Sequence, residues 1–382
     1  MRFSVDAHAI GCHLTGNEVY IRNLLKEFAR LDQDCDVIAY ISKPRAPEHI
    51  PERFQTRWVS ANPYKRLAWD IPNHVNRDRP DLLHVQYTGP LRTSVPLVVS
   101  IHDVSYLEHP EYFTQFRASQ LRITVKRTAE RAAKILTPSE FSKRAILKYY
   151  GNIPDDRIVV VPNAVSNLFR PVDRETARLA VESRLGTRQP FILTVGDLQP
   201  RKNHLGLLKA FEDVLRSNPQ LPHHLVFVGK ETWYSAKLHQ AVAASALADR
   251  VHFTGFVEDD ELVNFYGACD LFVYPSFYEG FGLPILEAMA CGRAVACSHT
   301  TAMPEVADSA GLLFDPRRIS EIARAMHDIL IDPELRVRLE RLGQQRAAAF
   351  SWQKAAERTL QAYYEVAGAP QPSKVAVRAG AL

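Results

Sequence analysis

Short apolar runs alternate with longer stretches of helical periodicity from one end of the chain to the other. The runs at 2–6, 37–41, 58–60, 82–86, 97–101, 135–137 and 159–161 read as strands, and so do those at 191–195, 225–228, 251–254, 271–274, 294–297 and 311–315. Several have no polar position at all, Leu271 to Tyr274 among them, and a strand apolar on both faces belongs in a covered parallel sheet. Between them the spacing predicts helices over 18–31, 116–135, 174–185, 205–216, 258–268, 319–349 and 353–366. Strand and helix in alternation define βαβ units, so the fold class is α/β with mostly parallel sheets.

A polar stretch over 164–190, punctuated by Pro171, Gly186 and Pro190, breaks the pattern in the middle. A chain of 382 residues is long enough for two domains. The reading is two Rossmann-like domains, 1–170 and 171–350, followed by 351–382 as a last helix and a disordered tail.

Composition narrows the partners. A net charge of +4 argues only weakly for an anionic ligand and gives no reason to expect nucleic acid. Cys12, Cys35, Cys269, Cys291 and Cys297 have no framework or zinc spacing, so they read as buried free thiols of a reducing cytosol and no metal is expected. No signal peptide and no apolar run long enough to span a bilayer is evident, so the expected location is cytoplasmic, at most on the inner face of a membrane. The helix over 116–135 carries Arg117, Arg122, Lys126, Arg127, Arg131 and Lys134. This basic stretch is either a solvated face or a surface for anionic lipid.

The densest chemistry lies in Leu271 to Cys291: a strand, the turn Glu279-Gly280-Phe281-Gly282, and a helix opened by Leu283 and Pro284. Strand, glycine turn and helix N-terminus together can hold an anion, because bare N–H groups converge there. Glu279 and Glu287 frame the turn. Ionised carboxylates only accept hydrogen bonds, which suits a ligand rich in hydroxyls. The alternative is a loop carboxylate and a helix-favouring glutamate. A second anion site follows the strand at 191–195, where Gly196 precedes Pro200-Arg201-Lys202-Asn203. Arg and Lys there could hold phosphate oxygens. His102-Asp103 ends the strand at 97–101, at the edge where ligands of open α/β sheets collect. Gly16, in Thr15-Gly16-Asn17, marks either a ligand loop or a plain helix start capped by Asn17.

The E-x7-E pattern from Glu279 to Glu287, with Gly280-Phe281-Gly282-Leu283-Pro284 between, resembles the signature of retaining glycosyltransferases of family 4 with the GT-B architecture. Arg201-Lys202-Asn203 matches the same family. The resemblance implies two Rossmann-like domains facing a cleft, with a C-terminal helix crossing back to the first domain. It implies that Arg201 and Lys202 hold the donor diphosphate, with Gly196 beside them. Glu279 and the backbone of Gly280, Phe281, Gly282 and Leu283 would hold the transferred sugar, and Glu287 the ribose. Phe256 and Val257 would border the base, and His102, Asp103 and Gly16 would lie on the acceptor side.

The implied reaction is metal-independent hexosyl transfer with retention and no cofactor beyond the nucleotide-sugar donor. Residues 6–20 and His102-Asp103 look most like bacterial mannosyltransferases that use GDP-mannose, acting on a saccharide or lipid-linked acceptor in surface polysaccharide assembly, including lipopolysaccharide. UDP-glucose or another UDP-hexose is the near rival. A sugar-nucleotide epimerase and a phosphorylase share the architecture, and a non-catalytic binder would be expected to have lost the clamp residues. A nicotinamide dehydrogenase would need a G-x-G-x-x-G after a strand, which the chain lacks.

Overall fold

The computed structural model describes residues 1–11, 15–32 and 34–369. Cys12 and most of the expected tail lie outside them; the other four cysteines are buried free thiols. The chain divides into two compact units, 1–163 with 351–382, and 164–350. The break falls at 163–164, seven residues before the expected one, because Phe169 is buried in the second unit's core and Val165 and Val172 pack against it.

In the first unit the strands are β1 (Arg2–Asp6), β2 (Asp36–Ile41), β3 (Gln55–Trp58), β4 (Leu82–Gln86), β5 (Leu97–Ser100), β6 (Lys134–Thr137) and β7 (Ile158–Val160). They form one parallel sheet in the order β3-β2-β1-β4-β5-β6-β7. The helix Trp352–Ala367 completes this unit. Its Tyr363 hydroxyl meets His84 Nδ1 at 2.5 Å, and Tyr364 donates to Asp32 at 2.5 Å. Tyr363 also sets its ring edge against Phe3 on β1.

The second unit holds β8 (Phe191–Val195), β9 (His224–Val228), β10 (Val251–Gly255), β11 (Leu271–Tyr274), β12 (Val295–Ser298) and β13 (Leu312–Phe314), parallel in the order β10-β9-β8-β11-β12-β13. Alternate residues of β11 enter different cores: Phe272 and Tyr274 one, Leu271 and Val273 the other. That is why the strand shows no polar face in the sequence.

Three expected elements differ. The strand at 58–60 is Gln55–Trp58 instead, a half-exposed edge strand whose polar residues hide its signal. The helix expected over 116–135 is Gln115–Arg131, because Ala132 turns extended so that Lys134 can enter β6. The first helix begins at Thr15, which puts Gly16 and Asn17 inside its first turn and removes Asn17 as a cap.

Candidate active site

Each carboxyl-end cluster is built by loops leaving parallel strands. In the second unit the chain leaves β8 at Gly196 and makes a tight turn, Pro200–Lys202, which brings both cations beneath the 277–282 loop. The Phe277 N–H donates to the Arg201 carbonyl at 2.8 Å and locks the two loops together. Lys202 runs over the Gly196 backbone. A Cβ at position 196 would lie 3.0 Å from Lys202 Cε, and Gly196 has φ of +151°, so both the backbone and the lysine stem favour glycine.

Glu279 accepts from both cations. Lys202 Nζ lies 2.8 Å from Oε1 and Arg201 Nη1 2.6 Å from Oε2. Arg201 also donates to the Tyr278 carbonyl at 2.6 Å, and Lys202 to the Tyr274 hydroxyl at 2.6 Å. Lys202 and Glu279 are 9% and 8% exposed, so this is a buried charge cluster. Burial alone would push the Glu279 carboxyl up; Arg201 and Lys202 outweigh it and hold it at about 2. Burial depresses the Lys202 ammonium and Arg201 adds to that, with Glu279 opposing them.

Gly282 supplies the sharp entry to the helix Leu283–Ala290 with φ of +114°, and Pro284 sits in its first turn. Glu287, on that helix, is buried and accepts from the Tyr266 hydroxyl at 2.8 Å. Burial pushes its carboxyl up to about 7, against the pull of Tyr266. Glu287 therefore exists in both protonation states near neutrality, where the sequence reading had it as an ionised acceptor only. Phe281 points its side chain into the core, with its ring edge against Phe350, so it offers the site its backbone. Leu283 packs against the same core. Val257 is also a core residue, while Phe256 is half-buried beneath Lys230 Nζ, 4.9 Å from its ring centre.

The loop after β12 also serves the site. Thr301 adopts φ of +59°, and its hydroxyl accepts from the Glu279 N–H at 3.1 Å. Thr300 donates to the Phe277 carbonyl at 3.2 Å. Tyr266, Tyr274 and Thr301 were not read as site residues. The first two are β-prone or helical aromatics whose pattern says core, and Thr301 carries no local signal.

In the first unit, His102 follows β5. Its ring edge meets Tyr20 at 4.7 Å and Tyr87 at 5.7 Å, and Nε2 faces Gln86 Oε1 at 3.2 Å. Burial pushes the imidazole down to about 4, against the attraction of Asp103, so it is neutral at pH 7. Asp103 has a second duty: Oδ1 accepts from the Ser105 N–H at 2.8 Å and its hydroxyl at 2.5 Å, opening a short helix. Tyr87 holds φ of +59°, an uncommon state for a bulky residue and one that concentrates at functional sites. Gly16 is exposed, and a Cβ there would meet nothing within 4 Å.

Two parallel α/β units, each with polar groups gathered at its strand ends, make up the two-domain GT-B fold. Residues 176–346 match the glycosyl transferases group 1 family and residues 14–167 match Glycosyltransferase Family 4. The O-antigen chain mannosyltransferase B of Escherichia coli is 35% identical over 70% of this chain and 69% of its own length. The serotype-specific mannosyltransferase WbdA of Escherichia coli is 30% identical over 70% of this chain, which spans about a third of that protein (32%). Among solved structures, HepE of Anabaena in complex with UDP-glucose superposes with a TM-score of 0.72 at 21% identity, covering 96% of this chain and 98% of that one. The chain belongs to glycosyltransferase family 4, on its mannosyltransferase-like side.

Proposed function

We propose that this protein transfers mannose from GDP-mannose to a saccharide or lipid-linked acceptor in bacterial surface polysaccharide assembly, with retention and without a metal. The observation that carries the reading is the buried Arg201–Lys202–Glu279 cluster beside the glycine turn. As the bond to the sugar breaks, charge gathers on the departing diphosphate. Two fixed cations favour that state over the ground state. Each Glu279 oxygen takes one cation and keeps a further lone pair for a sugar hydroxyl. Glu287, as carboxylate, accepts from ribose hydroxyls. In this reading the acceptor hydroxyl attacks from the face that the leaving phosphate vacates, and a phosphate oxygen takes its proton. The protein positions the groups and stabilises charge.

Mannose as the sugar is supported by the two mannosyltransferases that the chain resembles. UDP-glucose is the rival, supported by the ligand of the HepE structure. Incubating the purified protein with each donor and a membrane-derived acceptor fraction decides between them. Mannose incorporation from GDP-mannose alone, continuing in EDTA and giving an α-anomeric product by NMR, is expected. Incorporation from UDP-glucose alone would replace the donor reading, a β-linked product would remove retention, and loss of activity in EDTA would remove metal independence.

A further inference from the structure

Five polar side chains in the interior of the first unit bond to one another, and the proposed chemistry gives them no part. The Tyr363 hydroxyl meets His84 Nδ1 at 2.5 Å, His84 Nε2 meets Ser100 Oγ at 2.7 Å, and Ser100 Oγ meets the Tyr20 hydroxyl at 2.8 Å. The Thr359 hydroxyl is the remaining hydrogen-bonding group at Tyr20. The five come from β4, β5, the helix Thr15–Leu31 and the helix Trp352–Ala367. All are buried, so a lost partner cannot be replaced by bulk water.

The proton count fixes the direction of each bond. Burial and the charge of His102 push the His84 imidazole down to about 3, against the pull of Asp6, so it is neutral and carries one N–H. Burial pushes the Tyr20 and Tyr363 phenols up, so both keep their protons. Tyr363 has no other hydrogen-bond partner among the described residues, so its proton goes to Nδ1 of His84. His84 therefore holds its own proton on Nε2 and donates to Ser100. Ser100 donates to Tyr20, and Tyr20 to Thr359. The Thr359 hydroxyl ends the series by donating to the Ala355 carbonyl at 2.8 Å. Every donation runs the same way round, an arrangement in which each bond strengthens the next. The path leaves the helix Trp352–Ala367 at Tyr363 and returns to it at Thr359, about one turn earlier.

The Tyr20 ring carries this order to the candidate site. It stands edge to face with the His102 imidazole, centres 4.7 Å apart and planes at 80°. We propose that Tyr363, His84, Ser100 and Thr359 are positioning residues for His102: their closed path of hydrogen bonds pins the Tyr20 hydroxyl, and the pinned ring sets the plane of the imidazole. The contact from His102 Nε2 to Gln86 Oε1 holds one point of that ring and leaves it free to swing about the bond. A fixed aromatic wall removes the swing and aims Nδ1. The consequence for turnover rests on the proposed transfer, in which His102 faces the acceptor. There a misplacement of about 1 Å can cost about a hundredfold in rate.

The test uses the full chain, labelled with heavy nitrogen at histidine, so that NMR reports the protonated nitrogen of each imidazole. His84→Gln and His102→Ala assign the two signals of interest. His84 is expected with its proton on Nε2. Tyr363→Phe removes the donor to Nδ1 and should shift the signals of both His84 and His102. Tyr364→Phe removes a bond of the same kind from the same helix, to Asp32, and should leave both signals in place. In turnover, Tyr363→Phe and Tyr20→Phe should each lower kcat by up to about tenfold, the loss expected of one hydrogen bond, with the donor KM unchanged. In a His102→Ala background the same two changes should cost nothing further, because they act through that imidazole. The proposal is overturned if His84 carries its proton on Nδ1, if the His102 signals stay in place in Tyr20→Phe and Tyr363→Phe, or if the turnover losses are equal with and without His102. Tyr20→Phe opens the same path from its other side, so it decides the matter should Tyr363→Phe not fold. Absence of transfer with every donor would overturn the proposed function, and the imidazole signals would still decide the positioning.

Discussion

Lys202 and Glu279 meet at 2.8 Å inside a buried charge cluster, and the same carboxylate holds Arg201 through its other oxygen. The residue read as a sugar clamp is thus also the counter-ion that keeps two cations in place. Without it, Lys202 would be a buried ammonium bonded to the Tyr274 hydroxyl, with the positive charge of Arg201 opposed by Asp197 alone. Two cations on one carboxylate form a compact, buried cluster with net positive charge.

Glu279→Ala should therefore fail in two measurable ways. Breaking a buried pair by removing one partner costs about 3–5 kcal/mol, which urea unfolding will read. Turnover at saturating donor should fall by about two to three orders of magnitude, the loss typical of a removed electrostatic group at a reacting centre. Glu279→Gln preserves the shape and one acceptor, so it should recover part of the stability and little of the turnover. Near-parental turnover in Glu279→Ala would remove the residue from the site.

The two glutamates respond to pH with opposite sign. Glu279 sits below its ordinary value of 4.5, so its stabilisation is present above that value and is lost as pH falls through about 2. Glu287 sits above it, at about 7, so the folded state holds a proton that the unfolded state has released. Stability must then fall as pH rises from 4.5 to about 7, by about 1.4 kcal/mol per pH unit at most. Glu287→Gln should flatten that slope in urea titrations. The donor KM should also drop in the parent as pH rises through about 7 and Glu287 becomes a pure acceptor, and it should be level in the variant.

His102 gives a prediction for the first unit. An amide oxygen only accepts, so Gln86 Oε1 requires a proton on His102 Nε2 and leaves Nδ1 as an acceptor for a substrate hydroxyl. The charged or titratable groups around the ring are Asp103, His84, Tyr20 and Tyr87. Gln86→Glu puts a carboxylate in place of the amide and should raise the imidazole by about 1–3 pH units. The acid limb of the rate profile should move up with it. Gln86→Leu should lower turnover without moving the limb, and His102→Ala should lose the limb altogether. An unmoved limb in Gln86→Glu would show that the imidazole does not titrate in the reaction.

How much of this was legible depends on chain distance. Glu279, Gly282 and Glu287 fall within one strand–turn–helix, and Gly196, Arg201 and Lys202 within another, so local spacing exposed them. Tyr274 reaches Lys202 and Tyr266 reaches Glu287 from a strand and a helix whose aromatic residues the periodicity assigns to the core, as most of their neighbours are. Gln86 and Thr301 act across 16 and 22 residues through side chains that have many bland uses. The fold was clearest where strands are wholly apolar and least clear at the edge, where Gln55–Trp58 pairs on one side only.

Gly196 tests whether Lys202 must lie where it does. Its φ of +151° is costly for any residue with a Cβ, and an added methyl would crowd Lys202 Cε at 3.0 Å and Cδ at 3.2 Å. The lysine stem is flexible and would have to give by a few tenths of an ångström, which displaces the ammonium it carries against Glu279 and Tyr274. Backbone strain of this kind costs on the order of 1–3 kcal/mol, so Gly196→Ala should fold with a lowered melting temperature. Donor affinity, measured by calorimetry with the nucleoside diphosphate, should fall about tenfold or more, as expected when a charge-assisted bond of about 1.5–3 kcal/mol is lost. Lys202→Met combined with Gly196→Ala should bind no worse than Lys202→Met alone, since both changes act on one ammonium. If the two losses add, the glycine serves the loop and not the cation.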